Sequence, residues 1–202
     1  QTCALPIFKE WNESNFDIRL NRYCEKAYAA QKWAFVSDVA RLWALVHEGG
    51  IYMDTDVELV RPLDRLLTNR AFLGFEGTQW IGTNLIGAEP SHSFFIEFLK
   101  SYDHRCFITP DGKPDQTTNV EELTHKLEKA YGFRKDGSLQ QLGDITLYPT
   151  DYFCPYDYID GQLHRTENTY SIHWYSQTWI KRNQWINKLS QWMHRLTGNR
   201  MK

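Results

Sequence analysis

The chain has no apolar run approaching the roughly 20 residues that a membrane-crossing helix needs. It has no surplus of charge either. Lysine and arginine number 23 against 25 acidic residues, a net charge of −2, which gives no general electrostatic case for binding nucleic acid. Its cysteines, Cys3, Cys24, Cys106 and Cys154, show no C-x-x-C spacing, which argues against a zinc site. Scattered in this way they read as reduced thiols rather than a disulfide framework. There is no internal repeat, low-complexity tract, linker or signal-like opening, so the expectation is one cytoplasmic domain. What is present is 42% hydrophobic residues, enough for a core, and many aromatics, which suit cores and sugar faces alike.

The most informative stretch runs from Ser37 to Glu58, SDVARLWALVHEGGIYMDTDVE. Val39, Ala40, Leu42, Trp43 and Val46 recur at helical spacing, with Ser37 placed as N-cap and Asp38 suited to the helix dipole. Asp38 and Arg41 are three apart and share a face. Gly49-Gly50 stops the helix, and Ile51-Tyr52-Met53 reads as a strand. On a continuing strand Tyr52, Asp54 and Asp56 point the same way, the two carboxylates about 7 Å apart. Such a pair suits one hard divalent cation, Mg²⁺ or Mn²⁺, shared with phosphate oxygens. The plainer alternatives are two solvated turn aspartates and an ordinary surface ion pair.

The full string, Ser37, Asp38, Arg41, Leu45, Gly49, Gly50, Tyr52, Asp54 and Asp56, resembles the glycosyltransferases with a DXD-containing sugar-binding region. That family, glycosyltransferase family 32, groups fungal initiation mannosyltransferases, bacterial capsular polysaccharide transferases and animal α1,4-galactosyl- and α1,4-N-acetylglucosaminyltransferases. The same string occurs in clostridial toxin glucosyltransferase domains. The resemblance implies a GT-A-like α/β fold, a mixed twisted sheet with helices on both faces. It implies that Asp54 and Asp56 hold Mn²⁺ or Mg²⁺ against the diphosphate of a nucleotide sugar, with Asp54 alternatively reaching the ribose. Asp38 and Arg41 would hold sugar hydroxyls, with Tyr52 beside them. Asn12, in Trp11-Asn12-Glu13-Ser14-Asn15, would lie near the base, and Asn84 beneath the donor sugar. Their alternatives are ordinary turn residues. The late segment Ile172-His173-Trp174-Tyr175-Ser176-Gln177-Thr178-Trp179 resembles the family's closing motif. It implies His173 as a third metal ligand and Thr178 and Trp179 as diphosphate contacts, threonine standing where the family usually has serine. Family members carry an earlier strand–helix unit; its absence here leads to the expectation of an amino-terminally truncated domain.

Elsewhere the pattern predicts a strand over 7–11, a helix over 18–31 with Leu20 on its buried face, a short helix over 63–67 and a strand over 71–75. It further predicts a strand pair or bend over 80–88 whose glycines mark a close approach, and helices over 94–102 and 120–131. His92 reads as a cap or exposed residue, and Asp144 and Asp151 as turn residues. Residues 1–179 form the expected domain. Residues 180–202 form a basic amphipathic helix with Trp185 and Trp192, which either packs on the domain or lies on an anionic membrane surface.

The expected function is transfer of a hexose from a UDP- or GDP-sugar to a saccharide or lipid-linked saccharide acceptor, with retention, in surface polysaccharide synthesis. Two alternatives stand beside it: a non-catalytic sugar-nucleotide-binding remnant, and a haloacid dehalogenase-type phosphatase using Asp54 as nucleophile.

Overall fold

The structure, a computed structural model, describes residues 8–175. Thr178, Trp179 and the expected basic helix lie outside the described residues.

The helices are α1 (Arg22–Ala29), α2 (Trp33–His47), α3 (Ser93–Ser101), α4 (Asn119–Tyr131) and the single turn α5 (Thr150–Phe153). The strands are β1 (Gly50–Met53), β2 (Val57–Leu59), β3 (Ala71–Glu76), β4 (Trp80–Ala88), β5 (Gln140–Leu142), β6 (Ile145–Tyr148), β7 (Tyr156–Asp157), β8 (Gln162–Leu163) and β9 (Ser171–His173). Five of them make a mixed sheet in the order β1-β4-β3-β6-β5. β3 and β6 are parallel and the other pairings antiparallel. β2 pairs with β9, and β7 with β8, in separate two-stranded ladders.

The two faces of the sheet are covered unequally. Ala71, Leu73 and Phe75 of β3 alternate onto one face, where they join Tyr23 of α1, Leu42 of α2, Phe95 of α3 and Leu123 of α4 in the main core. Phe72 points to the other face and joins Leu85 of β4 and Leu66, Phe153 and Tyr170, the last three contributed by short turns and loops. Glycine makes that second face possible. A Cβ on Gly87 would sit 2.0 Å from the Phe72 ring, and one on Gly74 would sit 2.4 Å from the Phe153 ring.

Several expectations need correction. Helix α2 starts a turn before Ser37, because Trp33 packs on Tyr28 and Phe35 on Phe107 and so anchor that turn. Ser37 is no cap; its hydroxyl donates to the Ala34 carbonyl within the helix. Helix α1 begins only at Arg22, where Asn21 accepts from the Cys24 amide at 2.9 Å, and this leaves Leu20 exposed. Residues 8–11 form no strand. His92 is the N-cap residue of α3, as one of its two readings had it, but it is buried and its side chain caps no amide; its Nε2 lies 3.3 Å from Asp144, which also pairs with Arg70. Asp144 therefore ties the start of α3 to the sheet.

Segment 80–88 is one strand with an irregularity rather than a bend or a pair. Phe72 pairs with Gly87 but Gly74 pairs with Gly82, so residues 83–86 crowd opposite Leu73. A bulge of this kind re-aims side chains.

Candidate functional site

Asp54 and Asp56 do not sit on one strand. β1 stops at Met53, where its pairing with β4 ends, and β2 takes a different partner, β9. Between them the chain turns, the Val57 amide donating to the Asp54 carbonyl at 3.2 Å. The Asp-Thr-Asp motif is thus a corner between two sheets, and the corner brings its carboxylates closer than a strand would. The β2–β9 ladder then sets His173 opposite Val57. One ligand atom each of Asp54, Asp56 and His173 lies within 4.8 Å of the other two. His173 Nε2 is 3.3 Å from Asp56 Oδ1, and its buried Nδ1 has no hydrogen-bond partner among the described residues. Two carboxylates and an imidazole at this spacing fit a divalent ion.

Behind Asp54 lies a buried ion network. Arg41, 5% exposed, reaches Asp38 at 3.1 Å and Asp54 at 3.4 Å through Nη2. Its Nη1 donates to the Thr83 carbonyl at 2.6 Å, and its guanidinium lies 4.7 Å over the Tyr52 ring. The Tyr52 hydroxyl donates to Asp54 Oδ1 at 2.7 Å. Burial alone would lower the Arg41 pKa, but Tyr52, Asp54 and Asp38 together hold it above the usual value. Burial pushes the Asp38 carboxyl up to about 6 despite Arg41. It also raises Tyr52, keeping that hydroxyl a donor. Asp38 is further held by the backbone of Asn119, the first residue of α4, whose side chain donates to the Tyr102 hydroxyl at 2.9 Å. Asn119 carried no signal in the sequence beyond a helix start.

Asn84 sits in the irregular part of β4. Its carbonyl accepts from the Asp54 amide at 2.9 Å, and Oδ1 accepts from the Cys154 thiol at 3.2 Å. A Cβ on Gly82 would come 2.7 Å from that Oδ1, so the strand glycine is the close approach the sequence pointed to. Asn84 is 3% exposed, and its Nδ2 donor has no partner among the described residues.

On the outer side of β1 is a cavity of about 650 Å³, lined by Trp11, Asn12, Tyr28, Trp33 and Ser37 and reaching Tyr52, Met53 and Thr55 around Asp54. Asn12 therefore lies where a ligand beside Asp54 would extend. Its side-chain oxygen, however, accepts from the Ser14 amide and hydroxyl, closing its own turn. The site thus unites Asp38, Arg41, Tyr52, Asp54, Asp56, Asn84 and His173 at the carboxyl end of β1, while Asn12 stands apart in the cavity wall.

Comparison with known proteins points to the segment that carries the Asp-Thr-Asp corner. Residues 6–73 match the family described as glycosyltransferase sugar-binding region containing DXD motif. The chain carries a glycosyltransferase DXD region. It is similar to human alpha-1,4-N-acetylglucosaminyltransferase, with 25% identity over 186 residues, 89% of this chain and 49% of the relative. It is also similar to a mannosyl phosphorylinositol ceramide synthase of Saccharomyces cerevisiae, 38% identical over 68 residues, 34% of this chain and 18% of the relative. Inositol phosphoceramide mannosyltransferase 1 of Schizosaccharomyces pombe is 37% identical over 75 residues, 35% of this chain and 23% of the relative. The chain spans about half the length of the human relative and less of the yeast ones. No solved structure matches. The relatives named here are all glycosyl-transferring enzymes or glycolipid synthases, which gives the phosphatase alternative no support.

Proposed function

We propose that the chain is a GT-A-like domain that transfers a hexose from a nucleotide-diphosphate sugar to a saccharide or lipid-linked acceptor, with retention. The observation that carries this is the meeting of Asp54, Asp56 and His173 at one corner, although His173 lies far along the chain from the two aspartates. Those three would hold a divalent ion, and the imidazole in the set weighs toward Mn²⁺ over Mg²⁺. When bound, the ion supplies positive charge against the departing diphosphate. The chain's own residues hold the site in shape. Tyr52 and Arg41 fix one oxygen of Asp54 and leave the other to the ion. Asp38 and Arg41 are spent largely on each other and on backbone, so the geometry supports a positioning role, with direct sugar contacts fewer than the resemblance implies. The cavity beside β1 is the natural seat for base and ribose, and Asn84 offers its unpaired amide to the donor sugar.

Lipid-linked acceptors are supported by the printed names of the yeast relatives. A role in surface polysaccharide synthesis, cytoplasmic placement and contact of residues 180–202 with an anionic membrane belong to the same proposal and rest on sequence pattern. The test is calorimetry with UDP and with GDP, each with and without Mn²⁺, on this chain and on an Asp54→Ala/Asp56→Ala variant. One nucleotide binds the wild type only with Mn²⁺ and does not bind the variant. Failure of both nucleotides to bind folded wild-type protein sinks the proposal. Binding without release of hexose from the matching UDP- or GDP-sugar identifies the non-catalytic remnant.

A further inference from the structure

The same edge of the sheet carries a second group of polar and aromatic side chains that the donor reading leaves unused. Glu76 ends β3, half-buried, and accepts from the Tyr175 hydroxyl. The Tyr175 hydroxyl also lies beside Cys154, the thiol that donates to Asn84. Its ring lies 3.9 Å from the His173 ring and 4.9 Å from Tyr158, with Tyr156 behind at 6.5 Å. Tyr158 in turn is close enough to Glu76 for that carboxylate to help raise its pKa, after burial. Glu76, Tyr158 and Tyr175 therefore form one group, and Gly82 joins it to Asn84: a Cβ there would come 2.7 Å from Asn84 Oδ1 and 3.6 Å from the Glu76 Cβ, and the Asn84 Nδ2 is buried without a partner among the described residues.

The sheet order places this group relative to the metal-binding side chains. β4 lies between β1 and β3. A path from the cavity outside β1, across Asp54, Asp56 and His173, reaches Asn84 on β4 and then Glu76 on β3. A nucleotide in the cavity would place its diphosphate at the three metal-binding side chains and its sugar over Asn84. Whatever meets that sugar must come from the β3 side.

We propose that Glu76, Tyr158 and Tyr175 form the subsite for the acceptor's pyranose ring. The Glu76 carboxylate accepts from a ring hydroxyl, since it has oxygen lone pairs beyond the one Tyr175 uses. The tyrosine rings cover the apolar C–H face of the sugar. Tyr175 is a non-glycine residue at φ +48, an uncommon left-handed conformation, and its ring lies against that of His173. This assignment rests on the glycosyltransferase reading of the site and adds to it which side the acceptor enters from.

The experiment is saturation-transfer NMR with a panel of methyl hexopyranosides as probes, with and without Mn²⁺ and nucleotide. It compares wild type, Glu76→Gln and Tyr158→Leu, each checked for wild-type thermal unfolding. At least one glycoside contacts the wild type. Loss of a charged hydrogen-bond acceptor weakens that contact about tenfold in Glu76→Gln, and Tyr158→Leu weakens it as well. Nucleotide affinity is the same in all three. In wild type alone, added Mn²⁺ broadens the glycoside lines, a readout that needs neither variant to fold. The assignment is overturned by no glycoside contact in wild type, by contact equal in both folded variants, or by a loss of nucleotide-sugar affinity with glycoside contact intact. Loss of nucleotide binding to wild type, with Glu76-dependent glycoside contact preserved, instead overturns the donor reading and leaves the saccharide subsite standing.

Discussion

Two polar regions flank Asp54, and they are built on opposite plans. On the α2 side, Asp38, Arg41 and Tyr52 spend their hydrogen bonds chiefly on one another and on backbone, the unpaired groups there (Asn119 Oδ1, Tyr23 Oη and Arg105 Nη1) lying farther from Asp54, behind Asp38. On the β3 side, Asn84 Nδ2 and His173 Nδ1 are buried without a partner among the described residues. Native proteins rarely leave such groups unpaired, since each costs about 1–3 kcal/mol. The closed side reads as scaffold, whose polar groups fix the position of one carboxylate. The open side reads as a surface prepared for a ligand. Stability should therefore depend on the first and binding on the second.

The largest effect expected of that contrast is on Arg41. Arg41→Ala strands the buried Asp38 and releases Asp54, and breaking a buried pair costs about 3–5 kcal/mol. Urea unfolding should show a loss of this order, and a loss below about 1 kcal/mol would mean the network is not the scaffold described here.

A smaller effect concerns pH. Asp38 is faced by Arg41 on its own helix, Asp54 after β1, Arg105 in the loop after α3, and the Tyr23 and Tyr102 hydroxyls. Its folded pKa, about 6, lies above the ordinary carboxylate value of 3.8. The folded state therefore holds the proton more tightly than the unfolded state. The stabilisation is fully present below pH 4 and is lost as pH rises through about 6. Metal-free protein should lose part of its stability across that window, and Asp38→Asn should flatten this part of the profile. An unchanged slope in the variant would assign the dependence to other groups.

The smallest effect on stability belongs to the open side. His173→Phe keeps a ring against Tyr175 and removes an unpaired buried nitrogen, so metal-free stability should change by less than about 1 kcal/mol. The same variant should lose the rise in unfolding temperature that Mn²⁺ gives the wild type, as binding to the native state alone requires. A large loss of metal-free stability would make His173 part of the scaffold and blur the contrast.

The sequence exposed these regions unevenly. Asp54, Asp56, Asp38 and Arg41 were legible because their spaced string, helix face, glycine stop and paired acids, is local. His173 was legible only by resemblance, because nothing local links a lone histidine to a motif far upstream. The parity argument for Asp54 and Asp56 failed because strand alternation ends where pairing ends, and the pairing partner of β2 is set by β9. Ser37 was misplaced as a cap because Trp33 and Phe35 lengthen the helix through contacts with Tyr28 and Phe107. Gly82 did mark a close approach, although the irregular register that aims Asn84 at it left no trace in the pattern. Glu76 and Asn119 were missed because each is a single polar residue at an element's end, and only the tertiary arrangement gives it neighbours.

The corner between β1 and β2 also has a consequence for the order of assembly. Asp54 is placed when β1 pairs with β4, but β2 after Asp56 and the imidazole partner both wait for β9, near the end of the described chain. Closing so long a loop is slow relative to local steps. A nascent or refolding chain would thus acquire its core helices and main sheet before it can grip an ion. Tight Mn²⁺ uptake, followed in time, would report the last docking event of the fold and not the first collapse.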